Sequence, residues 1–252
     1  MNRIDHLVRR APLVWFMVGA CAFTWMLLPW AANSIGISLL ALCGPAVAAR
    51  AVTRAMTPAE QQDFRSRLTS WRIPIRWYLL ALMLPWPVTL LRSGLECRWV
   101  GGEVALLPIS PTAVAVFVLV AGEEIGWRGF VLPHLLRRFN AFQASVILGV
   151  LWACWHVPLF SIRGMPQFGT PFLAFALYTV ALSLILTGLA QKTAGSVLIA
   201  TLFHGAVNTF GWINPGADPE LRGWFNALCY GLLAVVVSPL WSPVYVGITG
   251  KK

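Results

Sequence analysis

Charged residues are scarce in this 252-residue chain: Asp, Glu, Lys and Arg together make up 11%, against about a quarter in soluble domains. A surface facing water on every side cannot be built from so few, which excludes a soluble globule. Acidic groups are scarcer still, 9 against 19 Lys and Arg. The resulting net charge of +10 does not call for nucleic acid, because basic residues of a polytopic membrane protein collect in its cytoplasmic loops. Disulfide chemistry is also missing. The five cysteines, at 21, 43, 97, 154 and 229, form no CxxC pair, are odd in number, and read as small apolar packing residues. No internal repeat, low-complexity tract or linker divides the sequence, so residues 1–252 are expected to form one membrane domain.

What the chain has in abundance is apolar sequence, 58% of its residues. Long runs at 12–31, 35–52, 74–92, 112–130, 141–160, 171–190, 195–213 and 224–243 predict an all-α polytopic bundle of about eight transmembrane helices in the lipid bilayer. Pro85 and Pro87 interrupt the third run and predict a kink or a shortened crossing there. The one long polar segment, 53–76, reads as an amphipathic surface helix started by Thr57-Pro58. It divides the N-terminal spans of 1–112.

Alternate loops must share a side, and the count of Lys and Arg is lopsided. Fourteen fall at the N-terminus (Arg3, Arg9, Arg10), the 53–76 loop with Arg50, Arg137 and Arg138, Lys192, Lys251 and Lys252, against four at Arg92, Arg98, Arg163 and Arg222. Both termini are therefore expected to be cytoplasmic. Residues 1–32 have the basic-then-apolar outline of a secretory signal, but the stretch is long and no clean small-x-small site follows, so a span is the expectation. Of the 13 tryptophans, Trp30, Trp77, Trp99, Trp212, Trp224 and Trp241 lie near span ends, where amphipathic rings anchor at the interface.

An ionisable side chain within a span costs at least about 2.5–3.5 kcal/mol, so each is a functional candidate. They are Glu123, Glu124 and Arg128 in one run, His156 in a second, and His204 with Asn208 in a third. His6 and His134 border basic loops and read as solvated. Glu124 and Arg128, four apart with the acid first, suit a helical ion pair. Glu123 points about 100° away on a helix of 3.6 residues per turn and is expected to meet His156 or His204 from another span. His204 and Asn208 share a face. At 1.5 Å per residue, Glu123 and His204 come out at similar depth, about 16 and 14 Å from opposite span ends. A lone membrane histidine or asparagine is more often glue between helices, but three such groups on three spans favour a site. No HExxH is present, no aspartate lies within a span, and Ser196 has no GxSG-like setting, which removes three other hydrolytic signatures.

Three motifs in order resemble those of the CPBP membrane proteases, also known as the CAAX-protease, Abi or Rce1-like family: Glu123-Glu124-x-x-x-Arg128 with Gly129-Phe130, Trp152-x-x-x-His156 with Val157-Pro158, and His204-x-x-x-Asn208. The family usually has Phe where Trp152 stands, a departure that bears on substrate fit. The resemblance covers about 113–213, the core it marks as catalytic, followed by a last span at 224–243. It implies an eight-helix intramembrane endopeptidase acting on membrane-embedded or membrane-anchored, lipid-modified proteins. Glu123 and His156 would activate water, His204 and Asn208 would stabilise the oxyanion, and Glu124 with Arg128 would brace the site. It also leaves open a zinc held by His156, His204 and Glu123, with metal-free activation preferred because no adjacent ligand pair is present. A non-catalytic scaffold or bacteriocin-immunity factor of the same family and a proton-coupled transporter are the alternatives. The transporter would show repeat-related broken helices, which the sequence lacks.

Overall fold

The computed structural model describes residues 3–31 and 33–241. Lys251 and Lys252 of the charge count, and the end of the 224–243 run at 242–243, lie outside the described residues. The short α1 (Arg3–Arg10) leads into α2 (Pro12–Ala31), whose first residue, Pro12, has no N–H to leave unpaired. Next come α3 (Ile35–Ala41) and α4 (Gly44–Arg54), parts of one apolar run. They part because Pro45 cannot donate to the Ala41 carbonyl, which accepts from the Thr24 hydroxyl of α2 at 2.9 Å instead.

The polar loop forms α5 (Pro58–Leu68), started by a reciprocal capping box between Thr57 and Glu60. The expected surface helix is therefore present. The third apolar run is longer than expected: α6 (Ile75–Met83) and α7 (Pro85–Val100) meet at Leu84, where Pro85 opens the next helix. A two-residue strand β1 (Ala105–Leu106) precedes α8 (Pro111–Gly126), a π turn (Trp127–Val131) and α9 (Leu132–Leu136). The remaining elements are α10 (Ala141–Trp155), a 3₁₀ turn (Val157–Ser161), α11 (Phe172–Lys192), α12 (Val197–Thr209), β2 (Trp212–Ile213), α13 (Pro219–Val236) and a closing 3₁₀ turn (Ser238–Trp241). β2 pairs antiparallel with β1, Ala105 opposite Ile213.

Packing runs α10 on α11, α11 on α13, α12 on α8 and α2 on α4. Glycines let these helices approach closely. A Cβ on Gly149 of α10 would sit 2.5 Å from the Val180 Cα of α11, and one on Gly126 of α8 would sit 2.4 Å from Pro45 Cβ. Among the described residues four segments, Pro12–Ala31, Ile35–Arg54, Ile75–Val100 and Phe172–Lys192, are long and apolar enough to cross a membrane. Large apolar side chains such as Val14, Met26, Leu79, Val235 and Val236 face outward, as a lipid-embedded surface requires. The protein is an integral membrane helical bundle.

Three expectations change. Arg92 is not a loop charge: it is buried on α7 with Glu96, whose Oε1 lies 3.4 Å from Arg92 Nε and 3.7 Å from Arg222 Nε of α13. The Arg92-x-x-x-Glu96 spacing that signals this pair was legible, but ending the run at residue 92 hid it. Second, His134 is half-buried, its Nδ1–H donating to the Phe130 carbonyl at 2.7 Å, whereas His6 is exposed. Third, among the expected anchors Trp30, Trp99 and Trp224 are exposed, but Trp77 and Trp212 are half-buried.

Candidate active site

The two glutamates of α8 face different surroundings. Glu123 lines a cavity of about 560 Å³ together with Trp152, His156, His204 and Asn208. Its remaining walls are mainly apolar residues of α2, α3, α8 and α11. Glu124 and Arg128 lie behind that wall, buried and joined at 2.8 Å. The helical pair expected from the spacing is therefore present. Glu124 Oε1 also receives a hydrogen bond from His204 Nδ1–H of α12 at 2.8 Å, so it links two helices rather than one pair.

Glu123 meets neither histidine through a hydrogen bond. Its Oε2 accepts from the indole Nε1–H of Trp152 at 2.8 Å, and this replaces the expected direct contact. His156 is not within a span's regular helix, because α10 stops at Trp155 and His156 caps it. There its Nδ1–H donates to the Trp152 carbonyl at 2.8 Å. Carbonyl and carboxylate oxygens only accept, so both imidazoles carry their proton on Nδ1. In the neutral rings Nε2 is left as an acceptor.

Arg128 lies in the π turn that follows α8. Pro133 cannot donate to the Gly129 carbonyl, and the chain widens so that Leu132 N–H bonds the Trp127 carbonyl five residues back. The freed Gly129 carbonyl accepts from Arg67 Nε–H of α5 at 3.1 Å, while Arg67 is held by Asp63 at 2.7 Å. The surface helix thus latches directly beneath the motif. Sequence reasoning missed Arg67, whose partner is 62 residues away. Arg128 in turn lies 4.5 Å from the centre of the Trp152 ring.

Asn208 stands at the exposed mouth of the cavity, one helical turn beyond His204. Ser196 is structural, donating to the Ser70 carbonyl at 2.6 Å and capping α12. Among the described residues no three His, Cys, Asp or Glu side chains gather closely enough to hold a metal ion. His156, His204 and Glu123 share the cavity but, as placed, do not fit a zinc.

Residues 105–210 match the family model for type II CAAX prenyl endopeptidase Rce1-like proteins. Over 164 residues the chain is 26% identical to CAAX prenyl protease 2 of Methanococcus maripaludis, covering 59% of this chain and 60% of that protein. Two proteins named lysostaphin resistance protein A are similar over 138 residues: that of Staphylococcus haemolyticus at 27% identity, covering 52% of this chain and 36% of its own length, and that of Staphylococcus epidermidis at 29%, covering 51% and 34%. The chain thus spans less than two thirds of each of these curated relatives, 60% of the first and about a third of the other two.

Proposed function

We propose, from the match of residues 105–210 to the Rce1-like family model, that the chain is an intramembrane endopeptidase of the CPBP family that hydrolyses peptide bonds of membrane-associated proteins. The observation that carries this is the meeting of Glu123, His156, His204 and Asn208, from three separate helical segments, on one cavity within the bundle. The relatives' names point to two uses of such a domain, prenyl-protein cleavage and lysostaphin resistance. The cavity's chemistry favours cleavage, because it brings a carboxylate and two imidazoles together inside apolar walls.

In this reading a water lies between Glu123 and His156 Nε2, both of which can accept its protons. Glu123 takes one proton as the water oxygen bonds the scissile carbonyl carbon. The carbonyl oxygen becomes an oxyanion facing Asn208 Nδ2–H and His204, which donates from Nε2 when it carries a second proton balanced by Glu124. Collapse of the intermediate breaks the C–N bond, and the proton held by Glu123 passes to the leaving amine. The products are a carboxylic acid and an amine. Arg128 fixes Glu124, which fixes the His204 ring. Both termini are proposed to be cytoplasmic, on the strength of the charge asymmetry.

The test is cleavage in proteoliposomes, with substrates first captured by proteomics on Glu123→Gln. Glu123→Gln, His156→Ala and His204→Ala should each abolish cleavage, and Asn208→Ala should lose about 10²–10³ in rate, as for one oxyanion donor. Full cleavage by Glu123→Gln would overturn the mechanism.

A further inference from the structure

We propose that Trp152 is a positioning residue for this reaction: its indole N–H holds the Glu123 carboxylate in aim, and Arg128 holds the indole. The inference rests on the hydrolytic reading above and goes beyond it, since the resemblance places a phenylalanine here and phenylalanine has nothing to donate.

Four contacts converge on this one side chain and its carbonyl. Nε1–H reaches Glu123 Oε2 at 2.8 Å in a fully buried contact. The carbonyl receives His156 Nδ1–H at 2.8 Å. The ring stands edge-on to the His204 ring, centroids 5.1 Å apart, and Arg128 lies 4.5 Å from its centre. Trp152 therefore touches the base, both imidazoles and the buried cation. An indole nitrogen donates and never accepts, so it cannot compete with Glu123 for the water's proton. It ties down Oε2 and leaves Oε1 for the water. A guanidinium against an aromatic face in a desolvated site is attractive by about 2 kcal/mol, which fixes the plane of the donor. Without the N–H, the carboxylate is free to rotate about its own side-chain bonds, and small misplacements of a reacting group cost large factors in rate.

A packing role and a positioning role separate on one atom. Replacing Trp152 with β-(3-benzothienyl)alanine exchanges the N–H for sulfur while keeping the bicyclic shape and the face that Arg128 covers. The expected result is a loss of about 10- to 100-fold in kcat with KM unchanged. Trp152→Phe is the second variant should the first fail to fold, with the same loss in kcat expected. Cleavage within about twofold of the unmodified protein would overturn the proposal.

A second readout does not depend on cleavage. In protein labelled with ¹⁵N-tryptophan, the indole proton resonance that disappears in Trp152→Phe should move upfield in Glu123→Leu, as a donor losing a carboxylate does. No movement would refute the contact. Movement together with a failure of the unmodified protein to cleave would instead sink the protease reading and leave the contact standing.

Discussion

Arg128→Ala is the substitution for which the structure sets the clearest magnitude. The guanidinium is buried, pairs with Glu124 at 2.8 Å and lies on the Trp152 ring. Removing it leaves the Glu124 carboxylate, which is 0% exposed, with His204 as its remaining hydrogen-bond partner. Breaking a buried pair from one side costs about 3–5 kcal/mol, because the remaining charge is stranded away from water. For a chain of this size that corresponds to roughly 6–20 °C in melting temperature. Glu123→Gln should cost less than about 1.5 kcal/mol, since the amide oxygen still accepts from Trp152. Removing both charges with Glu124→Gln/Arg128→Met should recover at least half of the single-variant loss. The assay is thermal unfolding in nanodiscs, followed by tryptophan fluorescence and soluble yield. If Arg128→Ala and Glu123→Gln melt together, or if the double variant is as unstable as the summed singles, the separation of brace from base is wrong.

Gly149→Ala should reduce folded yield severely, because the new Cβ would meet the Val180 backbone at 2.5 Å, whereas Gly94→Ala meets nothing within 4 Å and should be tolerated; size-exclusion profiles decide between them. Partial burial of Glu60 raises its pKa, but hydrogen bonds from Arg137 and Thr57 outweigh that and hold the carboxyl below its ordinary range. Its folded-state value therefore lies below the unfolded one, so its contribution to anchoring α5 is complete at neutral pH and lost as pH falls through the folded value, below about 4.3. Limited proteolysis of the 53–76 segment should show this acid sensitivity, and Glu60→Gln should remove it. Reporter fusions after residues 33, 65, 103, 193 and 252 should report a cytoplasmic 53–76 loop and C-terminus; an external result at either position refutes the charge-based orientation.

Short-range geometry was legible in the sequence because a helix has a fixed period. The Glu124–Arg128 pair, the separation of Glu123 from that face, and the start of the surface helix at Thr57 all follow from spacings of three or four residues. The same rule would have exposed Arg92 with Glu96, had the third run been read past Arg92. The halt of α10 at Trp155 was less visible, since Val157-Pro158 marks a break without saying which residue ends up facing the cavity.

Composition alone determined the membrane environment, since 11% charge cannot solvate a chain of this length, and motif order alone supplied the resemblance. Only the tertiary structure decided which groups meet. Spacing left either histidine free to meet Glu123, but packing gives that carboxylate to Trp152, 29 residues on, and gives His204 to Glu124 across 80 residues. Those pairings depend on how closely helices approach. That is set where glycines such as Gly126 and Gly149 abut a neighbouring helix and where Pro45 and Pro133 release carbonyls for other segments to bind. Helical periodicity acts within one segment, whereas contacts of this kind exist only once several segments have packed.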